Sequence, residues 1–218
     1  MSTPETEKKK SFTISAPPET DVWRKPPSTN VFNAPTHPLI PSPIPLQSFQ
    51  RARLTFSGPW TTRYDQGGLL LILTTTKATT TDSDAYWLKT GIEFYMSVPN
   101  LSTVATREWS DWSVFPLSER EVEGDGKGKV TVEARRESDE LGTSLWVYQI
   151  LPTAAAAAAG QRVPLREVTW FFADEEGGGW NLDIRAMAAR PAKEGDVVGK
   201  KELVVEFEDV QIEVAEVV

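Results

Sequence analysis

The stretch Tyr86-Trp87-Leu88-Lys89-Thr90-Gly91-Ile92-Glu93-Phe94-Tyr95 holds the residues best suited to chemistry in this chain. Side chains alternate along a strand, so Leu88, Thr90, Ile92 and Phe94 point one way and Trp87, Lys89, Gly91, Glu93 and Tyr95 the other. The first set reads as core. The second lines up an aromatic, a cation, a gap and a carboxylate, with Lys89 and Glu93 about 13 Å apart along the strand. A solvated sheet face explains the charges, but less readily the two large rings among them. An aromatic floor beside hydrogen-bonding groups suits a sugar, whose C–H face stacks on indole while its hydroxyls seek donors and acceptors.

Three further clusters could join such a site. Trp109-Ser110-Asp111-Trp112-Ser113 places two indoles around an acid and a serine in a loop; the alternative is that Ser110 and Asp111 close a turn and both rings pack inward. Tyr64-Asp65-Gln66-Gly67-Gly68 puts an acid and an amide at the mouth of an apolar strand, with glycines that allow close approach. Asp65 serves equally well as a turn cap. Arg135 and Arg136 are adjacent, so they point to opposite faces of their strand. Arg135, in phase with Lys129, Thr131 and Glu133, is the better pocket residue, and Trp146, in phase with Ser144 and Tyr148, can serve beside it. The acid–base groups for any catalysis are Glu93, Asp65 and Asp111, with Lys89; a carboxylate pair can run glycoside chemistry or a proton-transfer isomerisation.

Composition removes much other chemistry. The chain has no cysteine and a single histidine, His37, set among prolines. Disulfides, thiolate metal sites, cysteine nucleophiles and multi-histidine zinc sites are excluded, and a Ser/His/Asp triad is disfavoured. No segment shows the acid spacing of an EF-hand, so no metal and no cofactor are expected. Net charge is -8, running from +3 over residues 1–58 to -2 over 59–118 and -9 over 119–218. Acidic repulsion argues against nucleic acid as a partner. With no apolar leader and no 18-residue apolar run, no membrane is expected either, and the expected location is cytoplasmic.

The elements that must position these residues are strands. Turn residues separate short runs at Phe49–Phe56, Gly67–Leu73, Tyr86–Tyr95, Leu101–Thr106, Val130–Arg136, Ser144–Leu151, Glu167–Ala173, Leu182–Ala188 and Leu203–Val214, and no segment keeps a helical period between caps. An all-β antiparallel sandwich or barrel follows. Turn signals include Asp82-Ser83-Asp84, Gly124-Asp125-Gly126 and Glu176–Gly179. The six alanines at 154–159 read as a loop insertion, and the threonine-rich 74–81 as a strand end running into a hairpin loop. Residues 1–11 read as disordered. Ten of the 16 prolines lie in the first 45 residues, and seven of the eight tryptophans lie between Trp60 and Trp180. Residues 12–48 therefore form a Pro-rich arm, and because they also carry Phe12, Ile14, Val22, Trp23, Val31, Phe32, Leu39 and Ile40, they are expected to dock irregularly on a single domain spanning 12–218. A free polyproline-like linker is the alternative.

Tyr64-Asp65-Gln66-Gly67-Gly68-Leu69, Trp87-Leu88-Lys89-Thr90-Gly91-Ile92-Glu93, Leu101-Ser102-Thr103-Val104 with Thr106, and Ser110-Asp111-Trp112-Ser113 occur here in the order and at the spacing of the regulation-of-enolase family, which this chain resembles. That family comprises bacterial and fungal proteins with a concanavalin A-like jelly-roll domain and largely unknown activity; its namesake is a yeast cytoplasmic protein linked to control of enolase. The resemblance implies an all-β, two-sheet antiparallel jelly-roll sandwich of the concanavalin A-like lectin/glucanase type, with one curved sheet whose concave face suits a sugar. The glucanases of this architecture carry a Glu-x-Asp-x-x-Glu strand that is missing here, so a standard retaining glucanase is not expected. The combined expectation is a cytoplasmic protein that binds a carbohydrate or related polar metabolite and resembles a regulator of carbon metabolism. Trp87, Trp112 and Trp109 would stack on it, and Lys89, Glu93, Asp65, Gln66, Asp111 and Arg135 would make polar contacts. Two alternatives remain: a carboxylate-based hydrolase, isomerase or lyase acting on a sugar or glycoside, and an interaction module for enolase or another glycolytic enzyme.

Overall fold

Apolar residues at every second position, interrupted by glycine, proline and aspartate, commit the chain to strands. The computed structural model describes residues 11–75, 85–117, 128–151, 160–173 and 179–216. The arm contributes β1 (Phe12–Ala16), β2 (Val22–Lys25), β3 (Thr29–Phe32), β4 (Thr36–Pro38) and β5 (Ile44–Pro45). The body follows with β6 (Phe49–Ser57), β7 (Gln66–Thr75), β8 (Tyr86–Tyr95), β9 (Val98–Thr106), β10 (Ser110–Pro116), β11 (Val130–Asp139), β12 (Gly142–Leu151), β13 (Gln161–Val168), β14 (Trp180–Ala189) and β15 (Leu203–Val214).

These strands make a two-sheet antiparallel jelly-roll sandwich. One sheet has six strands in the order β1-β15-β6-β11-β12-β13; the other has seven, β10-β9-β8-β7-β14-β4 with β5 also on β14. The core lies between them and takes one face of each strand: Leu69, Leu71 and Leu73 of β7, Leu88 and Ile92 of β8, and Ile184 and Ala186 of β14 face Leu54 and Phe56 of β6, Val132 and Ala134 of β11, Leu145 and Val147 of β12, and Val205 and Phe207 of β15. Burying these apolar side chains stabilises the sandwich by about 1.5–3 kcal/mol for each large one. β7 is buried on both faces from Gln66 to Leu73 because its outer side is covered as well.

The cover comes from the arm, which is more regular than expected. β1 extends the six-stranded sheet along β15, β4 and β5 extend the other along β14, and β2 and β3 pair as a hairpin. Its prolines sit where they cost no ladder bond: Pro17 and Pro18 follow β1, Pro26 and Pro27 make the β2–β3 turn, and Pro38 and Pro45 end short strands. Two other expectations change. The apolar run 167–173 is a strand only to Val168; Trp170, Phe171 and Phe172 form turns, because three successive rings packing into one core cannot alternate. The Trp109–Ser113 segment is not a loop, since Ser110–Pro116 is the edge strand β10. The expectations for residues 1–10, the threonine-rich 76–81, the turn signals at 82–84, 124–126 and 176–178, and the alanine run 154–159 fall outside the described residues.

Candidate functional site

On the outer face of the seven-stranded sheet, antiparallel pairing brings Gln66 opposite Glu93, Gly68 opposite Gly91 and Leu70 opposite Lys89. Gly68 and Gly91 are fixed by sterics: a Cβ on Gly68 would lie 2.2 Å from the Thr90 carbonyl oxygen, and one on Gly91 2.0 Å from that of Gly67. The two bare positions leave a notch of about 10 Å³, lined by Gln66, Lys89, Glu93 and Ser102, in the sheet floor. Above it opens a cavity of about 470 Å³, within the usual size of small-molecule sites. The sheet supplies Gln66, Lys89, Glu93 and Trp112 to this cavity, the β2–β3 hairpin and the residue before it supply Asp21, Trp23 and Lys25, and Tyr64 and Pro191 complete the walls.

The polar groups form two linked sets. Lys89 Nζ donates to Gln66 Oε1 at 2.7 Å and to Asp21 Oδ1 at 3.3 Å, and Gln66 Nε2 donates to the same Asp21 oxygen at 3.1 Å. Lys89 also lies 5.7 Å from the centre of the Trp23 ring and 5.9 Å from that of Trp87, both within cation–π range. On the other side of the notch, Trp112 Nε1 donates to Ser102 Oγ at 3.0 Å, and Ser102 Oγ donates to Glu93 Oε2 at 2.9 Å. Burial pushes the Glu93 carboxyl above its ordinary range; the Lys89 charge and the hydrogen bond from Ser102 pull it partly back. The site thus offers a carboxyl that holds its proton longer than usual, a lysine cation and an amide beside exposed ring surface. Trp112 stands at the centre of the aromatic wall, edge-on to Trp23 at 6.3 Å, Tyr64 at 6.4 Å and Tyr95 at 5.2 Å.

Of the residues expected in the site, Gln66, Lys89, Glu93 and Trp112 meet there; the others lie elsewhere. Trp87 has the anticipated orientation but is 1% exposed, sealed under the hairpin with Phe32 edge-on at 6.5 Å. Asp65 is wholly buried, and both its oxygens are committed: Arg190 Nε and Nη2 each donate to it at 2.7 Å, and the Thr61 and Thr62 amides at 3.1 and 2.9 Å. It caps a turn and neutralises an arginine. Asp111 points away because its neighbour Trp112 faces the site, and strand alternation sends it to the opposite side of β10, where it pairs with Arg166 of β13 in the other sheet. Trp109 is 45% exposed at the β9–β10 turn and does not line the cavity. Arg135 and Trp146 share a face, as anticipated, but on the six-stranded sheet, where Arg135 pairs with Glu137 at 3.7 Å and Trp146 stacks on Tyr148. Sequence reasoning missed Asp21, Trp23 and Lys25. The available signal was Val22-Trp23-Arg24-Lys25, then Pro26-Pro27, then Thr29–Phe32, which is two short alternating runs around a turn.

Comparison with known proteins adds kinship. The chain is 44% identical over 206 residues, 94% of its length and 87% of the relative's, to an uncharacterised protein of Emericella nidulans. Among solved structures it is similar to a functionally unknown protein from Saccharomyces cerevisiae, with a TM-score of 0.58 and 17% identity, covering 97% of this chain and 94% of that one. A looser likeness is to the laminarinase catalytic domain from Thermotoga maritima, with a TM-score of 0.46 and 10% identity over 98% of this chain and 82% of that one. A family model covers residues 1–214, and the chain therefore belongs to the family described as protein of unknown function DUF1349.

Proposed function

We propose that the protein binds a carbohydrate, or a polar metabolite built like one, in the cavity between the seven-stranded sheet and the β2–β3 hairpin. One observation carries this reading: the Trp23 and Trp112 rings and the groups of Asp21, Gln66, Lys89 and Glu93 line a single cavity. Indole surface accepts the C–H face of a pyranose, and a lysine, an amide and two carboxyls supply both donors and acceptors for its hydroxyls. A thermal-shift screen with mono- and disaccharides and sugar phosphates tests it. The expected result is a stabilising ligand whose effect disappears in Trp112→Ala; no shift with any of them overturns the reading.

A second reading, an enzyme acting on a sugar or glycoside, is favoured by burial that raises the Glu93 carboxyl above its ordinary range, since a carboxyl that holds its proton longer than usual is suited to act as a general acid. Asp21 is the other carboxylate lining the cavity and is the partner to test, in place of Asp65 and Asp111. Glu93→Gln would then leave sugar binding intact and stop turnover of the bound sugar. A link to enolase rests on the sequence resemblance; its test is copurification with enolase that survives Trp112→Ala.

A further inference from the structure

We infer that the cavity is a blind-ended groove that receives the end of a saccharide chain, or one free sugar, and does not hold the middle of a chain. The inference rests on the carbohydrate reading above. The outer face of β8 runs from Trp87 to Tyr95, about 26 Å, and a chain lying along it would need both ends of that path open.

One end is closed. Val22 is fully buried, Phe32 lies against Trp87, and both belong to an apolar cluster with Leu70, Ile72 and Val104 of the sheet. The closing element is also tied down on both sides. Toward β10, the Arg24 amide donates to Ser110 Oγ at 2.9 Å, and its guanidinium donates to the carbonyls of Ala85 at 3.2 Å and Arg107 at 3.3 Å. Toward β14, the amides of Glu19 and Thr20 donate to the carbonyls of Ala192 and Arg190 at 3.1 and 3.2 Å. A seal that buries aromatic surface and satisfies buried donors is part of the fold, and a saccharide end does not displace it.

The other end is of a different character. Beyond Glu93 the face carries Tyr95, whose ring stacks on that of Tyr64 at 5.7 Å and 12°, with the Arg63 guanidinium 4.6 Å above Tyr64. The turn beyond is exposed, Met96 to 80%. A terminal ring seated over the Lys89–Glu93 notch therefore sends its neighbour toward Tyr64 and Tyr95. The first unit is gripped by polar groups, the second rests on aromatic surface, and further units lie in solvent.

Titration calorimetry of the full chain tests this with D-glucose, D-galactose, D-mannose, N-acetyl-D-glucosamine and D-glucuronate, and with the oligomers of two to six units of each. The expected result is binding of at least one free sugar, a gain of about threefold to tenfold on adding the second unit, and then a flat response. A bulky aryl group on one particular end of the oligomer should abolish binding while the same group on the other end is tolerated, and Tyr64→Ala should cost the two-unit oligomer more affinity than it costs the free sugar, removing the second-unit gain. Affinity that first appears at three or more units, or climbs at every step to six with both ends blocked, overturns the blind groove and leaves the carbohydrate reading standing. Silence from every sugar and oligomer overturns the carbohydrate reading itself, and this inference with it.

Discussion

On the outer face of the seven-stranded sheet, Trp112 stands near Lys89, Glu93 and Gln66; on the outer face of the six-stranded sheet, Trp146 stands near Tyr148, Arg135 and Glu133. The inventories are close, yet the second cluster closes on itself. Glu133 is fully buried between Arg162 Nε at 2.6 Å and Arg51 Nη1 at 3.2 Å, and Tyr148 donates to Glu137 at 3.0 Å while its ring stacks on Trp146. On the first face the hairpin stands over the sheet and holds its charged groups around a cavity. Aromatic and charged residues on a strand face are therefore not yet a site. A second layer that stands over the sheet and leaves a cavity beneath it, and the glycine pair that hollows the floor, make the difference.

The largest effect should come from Asp65, which belongs with the closed kind of cluster although its neighbour Gln66 lines the cavity. Asp65→Asn leaves the buried Arg190 uncompensated, and urea denaturation should show a loss of about 3–5 kcal/mol. An unchanged midpoint combined with lost sugar binding would move Asp65 back into the site. Next, Trp112→Ala should weaken sugar binding at least about tenfold, or about 1.4 kcal/mol, whereas Trp146→Ala should change it less than about twofold by calorimetry. Equal losses would erase the distinction between the faces.

A smaller effect separates the faces by pH. In the folded chain Glu93 keeps its proton above the ordinary value of 4.5, so below that value folded and unfolded states are both protonated and Glu93→Gln should melt with the parent protein. As pH rises through 4.5 toward the folded value, the unfolded chain ionises first and the parent loses stability. The variant should then melt higher at neutral pH, and a gap that is constant with pH would show that Glu93 is not desolvated. The smallest effect concerns Tyr148, which burial and then the Glu137 carboxylate push up to about 12 from an ordinary 10.0. Glu137→Gln should lower its transition in an ultraviolet titration and leave sugar affinity unchanged.

Much of the scaffold could be read directly from the sequence. Alternation along Tyr86–Tyr95 identified the core-facing Leu88 and Ile92 and the outward Lys89 and Glu93, because a strand sorts neighbours by a rule two residues long. The same rule could not say whether Trp87 would be open or covered, since both states leave identical local patterns. The turn preference of Ser110 and Asp111 suggested a loop around Trp112, and the strand found there instead sends Asp111 and Trp112 to opposite faces. The arm's apolar residues signalled docking, but its hairpin was obscured by prolines that lie in turns and at strand ends.

By itself the sequence determined that the body is built of strands, which face of Tyr86–Tyr95 points inward, the acidic balance and a chemistry confined to carboxyl, lysine, arginine and aromatic groups. Only the tertiary structure decided which carboxylates serve the cavity. Asp21 reaches Lys89 across 68 residues, and Asp65 is taken by Arg190 across 125. Periodicity is imposed by the backbone on adjacent residues, whereas the choice between a carboxylate that lines a cavity and one locked in a buried ion pair depends on which distant segment lies alongside, and the tertiary fold sets that.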